Sequence, residues 1–300
     1  MTQDEGRQGL WYALGCYGIW GMFPLYWYPL NHSAMAAEQV LAHRIVWSAL
    51  FAVVLLLLWR RGAAVKALLA RPRQLALLAA SACLIGINWL TYLWAMVNSH
   101  VLDASLGYLV NPLFNVFLGW LVFKEKLQRP QWLAVAMAAV GVLWLAVWGG
   151  SMPWVPVLLA LSFGGYGLMR KLVQTDALTG LVVETLVLLP MAAAYLWWCA
   201  AQGKASLDSL NTLQTAVLLG SGVATTLPLL LFAAAVRRIP LSLMGMLQYG
   251  SPILQLLLAL FVFNETLDTV RLAGYIWVCI GVAIYLTHLF RQMRAPRQAA

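Results

Sequence analysis

The chain has 300 residues, of which 63% are apolar and 10% charged, with a net charge of +9. A soluble domain carries about 45–50% apolar and about 25% charged residues, so this chain has too little polar surface to cover a water-exposed fold. Disorder is excluded as well, because disordered chains are poor in hydrophobics, and a polytopic membrane protein remains.

Ten stretches are apolar over roughly the 20 residues a spanning helix needs. They are 8–30, 38–59, 74–97, 104–123, 130–148, 154–169, 181–201, 214–236, 242–263 and 269–290. The first follows Asp4, Glu5 and Arg7 without a small-residue cleavage site, so it reads as a spanning helix rather than a signal peptide. The two-residue alternation of a membrane barrel is absent, and helices satisfy the backbone within lipid. The four cysteines, Cys16, Cys83, Cys199 and Cys279, lie in apolar runs and form no CxxC pair, so they read as small hydrophobes.

The sparse charge sits in short clusters between these stretches. With the N-terminus inside, 16 of the 19 Lys and Arg fall on the cytoplasmic side, among them Arg60-Arg61, Lys124, Lys126, Arg170-Lys171 and Arg237-Arg238. Only Lys204 and Arg271 fall outside, and Arg44 lies within a helix. This asymmetry predicts both termini in the cytoplasm. It also argues against a nucleic-acid partner, which would need a continuous basic face.

Shifting the chain by 140 residues lays its second half on its first. Pro112, Glu125 and Gly141 meet Pro252, Glu265 and Gly281, within eight identities over the 34 pairs from 112/252 to 145/285. Five helices per half is an odd number, so the halves have opposite orientation. The predicted fold is an all-α polytopic membrane protein of ten transmembrane helices in two inverted five-helix repeats, residues 1–150 and 151–300. Secondary transporters recurrently use this plan, with substrate bound near the midplane between repeats.

Several motifs carry a resemblance. They are His43-Arg44-Ile45-Val46-Trp47-Ser48, Ile85-Gly86-Ile87-Asn88-Trp89-Leu90, Ala104-Ser105-Leu106-Gly107-Tyr108 with Asn111-Pro112, and Lys124-Glu125-Lys126. Tyr166-Gly167-Leu168-Met169-Arg170-Lys171, Glu184-Thr185, Thr225-Thr226-Leu227-Pro228 and Gln248-Tyr249 belong with them. In order and spacing they resemble the RarD branch of the drug/metabolite transporter superfamily, with two EamA-type repeats. The resemblance spans nearly the whole chain and implies an inner-membrane permease with cytoplasmic termini.

Polar residues inside the helices are the candidate site. Ser105, Tyr108, Asn111 and Asn115 form one stripe of the fourth helix, and the shift carries them onto Gly245, Gln248, Ser251 and Gln255 of the ninth. Such stripes avoid lipid and face protein or a wet cavity. Tyr249 stands beside Gln248, and Pro112 and Pro252 each remove a helical hydrogen bond and predict a bend. Hydrogen bonding between helices is the competing reading of these stripes.

Arg44 and Glu184 are charges within the apolar part, again 140 residues apart. At about 1.5 Å per residue they sit roughly 9 Å and 6 Å from opposite faces, too far apart for a salt bridge. Arg44 is expected to line the outer half of the pathway. Glu184 is a proton-coupling candidate in the inner half, with His43 as a second. Trp20, Asn88, Trp89, Tyr92 and Tyr166 add ring surface and hydrogen bonds suited to an amphipathic substrate. Glu125 and Glu265 are read as structural, bonding backbone amides at helix starts.

The sequence therefore predicts a secondary transporter for a small amphipathic metabolite or drug-like compound, working by alternating access. Its partners are that substrate and the lipid bilayer, with proton coupling through Glu184 or His43 and no metal or cofactor. No GxxxxGK[ST] motif is present. An uncoupled facilitator is the alternative, and a lipid-modifying membrane enzyme the remote one. Substrate identity, direction and oligomeric state are left open.

Overall fold

The computed structural model describes residues 3–30, 33, 35–97, 101–148, 154–204, 207–262 and 269–294. They form thirteen α-helices and two short 3-10 turns. In chain order the helices are α1 (Gln3–Gly21), α2 (Phe23–Trp27), α3 (Ala37–Leu58), α4 (Gly62–Leu69), α5 (Pro72–Val97), α6 (Val101–Phe123) and α7 (Arg129–Trp148). The second half continues with α8 (Trp154–Leu172), α9 (Ala177–Ala201), α10 (Thr212–Val236), α11 (Leu241–Gln248), α12 (Gly250–Phe261) and α13 (Thr269–Arg294).

Eight segments are long and apolar enough to cross a membrane: α3, α5, α6, α7, α9, α10, α13 and Leu241–Leu258, which joins α11 to α12. The expected ten include two that fall outside this set. α1 and α8 are 19-residue helices, but α1 begins with Asp4 and Glu5 and α8 ends with Arg170 and Lys171. Two expected helices are interrupted. The first breaks at Met22, two residues before Pro24, and the ninth at Tyr249, three residues before Pro252. Proline has no N–H and crowds the preceding turn, so the chain breaks on its N-terminal side. Pro112, by contrast, sits inside an uninterrupted α6.

Local chemistry sets the boundaries. Pro72 opens α5, where a missing N–H is harmless. Asp176 caps α9 by accepting from the Thr179 N–H at 3.0 Å, and Asn211 and Gln214 form a reciprocal capping box on α10. Three helices end in a left-handed residue: Arg60 (φ 53°), Lys124 (φ 52°) and Gly203 (φ 63°). At each, the next amide reaches back to a carbonyl of the last turn: Arg61 to Leu56, Glu125 to Gly119 and Lys204 to Cys199.

The 140-residue periodicity governs these boundaries. α3, α5, α6 and α7 begin at residues 37, 72, 101 and 129, and α9, α10, α11 and α13 at 177, 212, 241 and 269. Packing follows the same rule. α3 lies on α9, α6 on α11 and α7 on α13, each helix on its own counterpart. The remaining large contacts come as exchanged pairs: α5–α8 with α1–α10, α6–α8 with α1–α12, and α5–α9 with α3–α10. Each half therefore packs mainly on the other.

Small residues permit the closest of these approaches. A Cβ on Gly141 would meet the Gly274 carbonyl, and one on Gly281 would meet the Ala134 carbonyl. Ala134 and Gly274 are themselves 140 apart, so the α7–α13 seam repeats across its own centre. The outer faces are apolar and open, with Trp59, Trp148 and Trp154 exposed at helix ends as an aromatic belt requires and Trp11 exposed in the middle of α1. The cysteines are free, with Cys16 and Cys199 buried and Cys83 exposed.

Candidate functional site

Arg44 lies seven residues into α3, and Glu184 seven residues into α9. At 1.5 Å per residue each is roughly 10 Å from its helix start. For Glu184 this is deeper than the sequence predicts, because α9, capped by Asp176, begins four residues before the expected boundary.

Arg44 enters an aromatic chamber. Its guanidinium carbon stands 4.9 Å from the Trp27 ring and 5.3 Å from the Trp89 ring. Its Nε donates to Thr225 Oγ1 at 3.3 Å. Tyr92 and Tyr108 contact each other at 5.6 Å between ring centres, and with Tyr26 they are the tyrosines whose hydroxyls interact electrostatically with the guanidinium. Tyr26 is in turn anchored by donating to the Val217 carbonyl at 2.7 Å. Among the described residues, the ion pairs of buried or half-buried groups join Arg170 to Glu184 and Lys171 to Glu125, and none involves Arg44.

Glu184 has a different setting. Arg170 Nη1 lies 3.4 Å from its Oε1, and Ser81 donates to the same oxygen at 2.5 Å. Arg170 Nη2 also donates to the Ala177 carbonyl at 3.2 Å. Both charged side chains are nearly inaccessible, with 2% and 3% of their area exposed. Gly180 makes this possible, since a Cβ there would strike the guanidinium.

This corrects the reading of Arg170 as a surface anchor of the basic loops. Ser162, Tyr166 and Arg170 recur every four residues on a buried stripe of α8. That spacing is the signal by which the sequence could have placed Arg170 inside.

Between the two charges lies a cavity of about 10 Å³, room for about one water. It is lined by Ile45, Ser48, Ile85, Trp89, Tyr166, Leu181, Glu184, Thr185, Leu188 and Leu229. Six of these are three repeat-equivalent pairs: 45 and 185, 48 and 188, 89 and 229. The cavity thus straddles the line that relates the halves. Trp89 belongs to both regions, facing Arg44 on one side and the cavity on the other. A larger open groove of about 530 Å³ runs between Trp120 and Trp132 beside Lys124–Leu127, away from both charges.

The other expected site residues divide. Tyr92 and Tyr108 join Arg44, and Tyr166 lines the cavity with its hydroxyl buried and unpartnered. Asn88 turns from Trp89 and bonds to the Leu159 carbonyl (3.0 Å) and Ser162 (3.1 Å) on α8. Trp20 packs on Tyr17, Phe163 and Phe232, with ring centres 5.7–5.9 Å away.

Apart from Tyr108, the described side chains of the paired polar stripes of α6 and α11–α12 that form hydrogen bonds meet one another or α1, and none lines the cavity. Asn115 donates to Gln248 at 2.8 Å, and Ser251 to the Tyr17 carbonyl at 2.6 Å. Tyr249 donates to the carbonyl of Leu109, its own repeat equivalent, at 3.1 Å. Asn111 is fully buried beside them, and its amide N and O have no hydrogen-bond partner among the described residues. His43 is half-buried, and no hydrogen bond or ion pair joins it to another described residue.

Sequence reasoning missed Tyr26, Trp27, Ser81, Arg170 and Thr225 as partners of the two charges. Glu125 accepts from the Leu241 and Ser242 amides at 2.7 and 2.9 Å, a helix start in the other half, and pairs with Lys171 at 3.7 Å. Glu265 and the side chain of Ser105 lie outside the described residues.

The chain is similar to known proteins over nearly its whole length. A chain of Pseudomonas aeruginosa described as an uncharacterised transporter is 43% identical over 98% of each sequence. The protein RarD of Streptomyces exfoliatus is 40% identical, over 99% of this chain and 93% of its own. RarD of Escherichia coli is 39% identical, over 99% and 100%. A crystal structure at 15% identity superposes with a TM-score of 0.71 over 98% of this chain and all of that one, a likeness of fold. The EamA-like transporter family model matches residues 7–147 and 152–287, and this multi-pass membrane protein belongs to that family, among RarD proteins.

Proposed function

We propose that the protein is a secondary transporter of the inner membrane that moves a small amphipathic metabolite or drug-like compound by alternating access. In this reading α1 with α2, and α8, join the eight apolar segments to give ten spans. The two inverted five-helix repeats, residues 1–150 and 151–300, then rock about the central cavity with both chain ends in the cytoplasm. The observation that carries it is the cavity itself, lined by repeat-equivalent pairs and flanked by Arg44 and Glu184. Arg44, Trp89, Tyr92 and Tyr108 would hold the substrate, with Tyr166 at the inner side. Asn111, Asn115, Gln248, Tyr249 and Ser251 would hold the halves together and re-pair as they move. The partners are the substrate and the bilayer, and the reading includes no enzymatic step.

Glu184 is the proposed proton carrier, and its protonation would have to break the pair with Arg170. That pair also favours a second reading, an uncoupled facilitator, because a carboxylate with its partners satisfied need not titrate. Flux in proteoliposomes with and without an imposed pH gradient separates the two. Accumulation above equilibrium that Glu184→Gln abolishes, with exchange spared, is the result expected of coupling. Equilibration that ignores the gradient leaves the facilitator. Absence of any protein-dependent flux across amino acids and aromatic metabolites would overturn transport itself.

A further inference from the structure

Arg44 is a cation whose partners are nearly all rings. A guanidinium stays charged at neutral pH and offers five donors in a planar fork. Here one donor, Nε, is spent on a neutral hydroxyl, Thr225. Trp27 and Trp89 face the guanidinium and offset part of its lost hydration, but rings accept no in-plane hydrogen bonds. Arg44 is half-buried rather than sealed, so the edge of its fork can be reached. Among the described residues no ion pair reaches Arg44, and Glu184, its repeat equivalent, is committed to Arg170 and Ser81. The charge therefore stands in its chamber without an acid partner among the described residues.

Resting on the transporter reading, we infer that the substrate is an organic monocarboxylate. Its carboxylate takes the open edge of the Arg44 fork, and its apolar body lies along Trp89 toward the central cavity, which holds about one water here and widens as the halves rock. The fork matches the two oxygens of a carboxylate in a paired, charge-assisted geometry. One carboxylate neutralises one cation. A phosphate dianion would need a second, and the other buried guanidinium, Arg170, is already neutralised by Glu184. The body is apolar because the cavity wall beyond Trp89 is Ile45, Ile85, Leu188 and Leu229. Tyr92 and Tyr108 supply ring surface beside the head group.

The test uses purified full-length protein and a ligand series of benzoate, phenylacetate, 3-phenylpropionate and 4-phenylbutyrate, each beside its primary amide. The acid and amide share shape and differ in charge. Ligand-induced thermal stabilisation is read as a function of concentration. The expected result is that at least one acid binds about tenfold or more tightly than its amide, the scale of a charge-assisted hydrogen bond. Arg44→Gln should erase that preference, and Arg44→Lys should keep part of it. Should Arg44→Gln fail to fold, Trp89→Leu, which keeps the charge and removes a ring, should weaken acid and amide alike.

No acid in the series stabilising the wild-type protein more than its amide overturns the inference, as does a preference that survives Arg44→Gln. Counterflow of the same compounds in proteoliposomes keeps the two readings apart. Flux that is indifferent to charge sinks the carboxylate and spares transport. A charge-dependent binding site without flux sinks transport and spares the carboxylate.

Discussion

Arg44 and Glu184 occupy the same place in their repeats, seven residues into α3 and α9, yet their surroundings differ in kind. Glu184 is sealed, with one carboxylate oxygen ion-paired to a guanidinium and accepting from a hydroxyl, and almost no exposed area. Arg44 is walled by Trp27, Trp89, Tyr92 and Tyr108, bonded to Thr225, and left without an acid among the described residues. The repeat thus duplicated a position and the chemistry diverged around it. One charge is consumed in holding helices α5, α8 and α9 together, and the other is left available. An internal pair fixes structure, whereas an unmatched charge waits for a partner from outside.

Substitutions around the two charges can break or sharpen this contrast. The largest effect is expected from Arg170→Ala, which strands a buried carboxylate and should lower stability by about 3–5 kcal/mol. Denaturation in detergent measures it, and adding Glu184→Ala should restore part of the loss. If Arg44→Ala proves equally destabilising, the two charges are both structural and the contrast fails. Ser81→Ala comes next, at about 1.5–3 kcal/mol for a lost hydrogen bond to a charged group.

Asp176→Ala removes the cap that sets how deep Glu184 sits, at about 1 kcal/mol. Burial works to raise the Asp176 carboxyl, but the bonds from Thr179 and the charge of Arg61 outweigh it and hold it below its ordinary value. A depressed carboxylate contributes fully above its unfolded value, near pH 4, and loses its contribution as pH falls. The gap between wild type and Asp176→Ala should therefore shrink below about pH 4. Thermal melts at pH 7 and pH 3.5 read it.

The smallest effect is expected for Thr225→Val, about 0.5 kcal/mol, since the fork it serves remains reachable. Its consequence should appear in substrate affinity rather than in the melt. A large stability loss from Thr225→Val would place Arg44 with Glu184 as a structural charge.

Much of this molecule is legible in its composition and spacing. The 140-residue shift, read from a few prolines, glycines and glutamates, recurs as helix starts that match to the residue and as the Gly141–Gly274 and Gly281–Ala134 contacts. The helix-end role read for Glu125 is seen as two bonds to backbone amides, though at a start in the opposite half. Less legible was which polar groups face one another. Asn88 and Trp89 are neighbours in sequence, and one bonds α8 while the other lines the cavity. A helix turns about 100° per residue, so adjacent side chains meet different neighbours, and the sequence does not say which neighbour stands where.

The sequence alone determined that the chain lives in a membrane, that its halves are copies, and that two charges sit at matching places within it. Apolar length, charge placement and periodicity are properties of the chain itself. Only the tertiary structure decided that Arg170, apparently one more basic loop residue, turns inward to neutralise Glu184, and that Tyr26, Trp27 and Thr225 close around Arg44. Those pairings join residues 14 to 181 positions apart, Arg170–Glu184 and Trp27–Arg44 within one half and Arg44–Thr225 across the two. Whether a buried charge is spent or free depends on what that packing brings within about 4 Å.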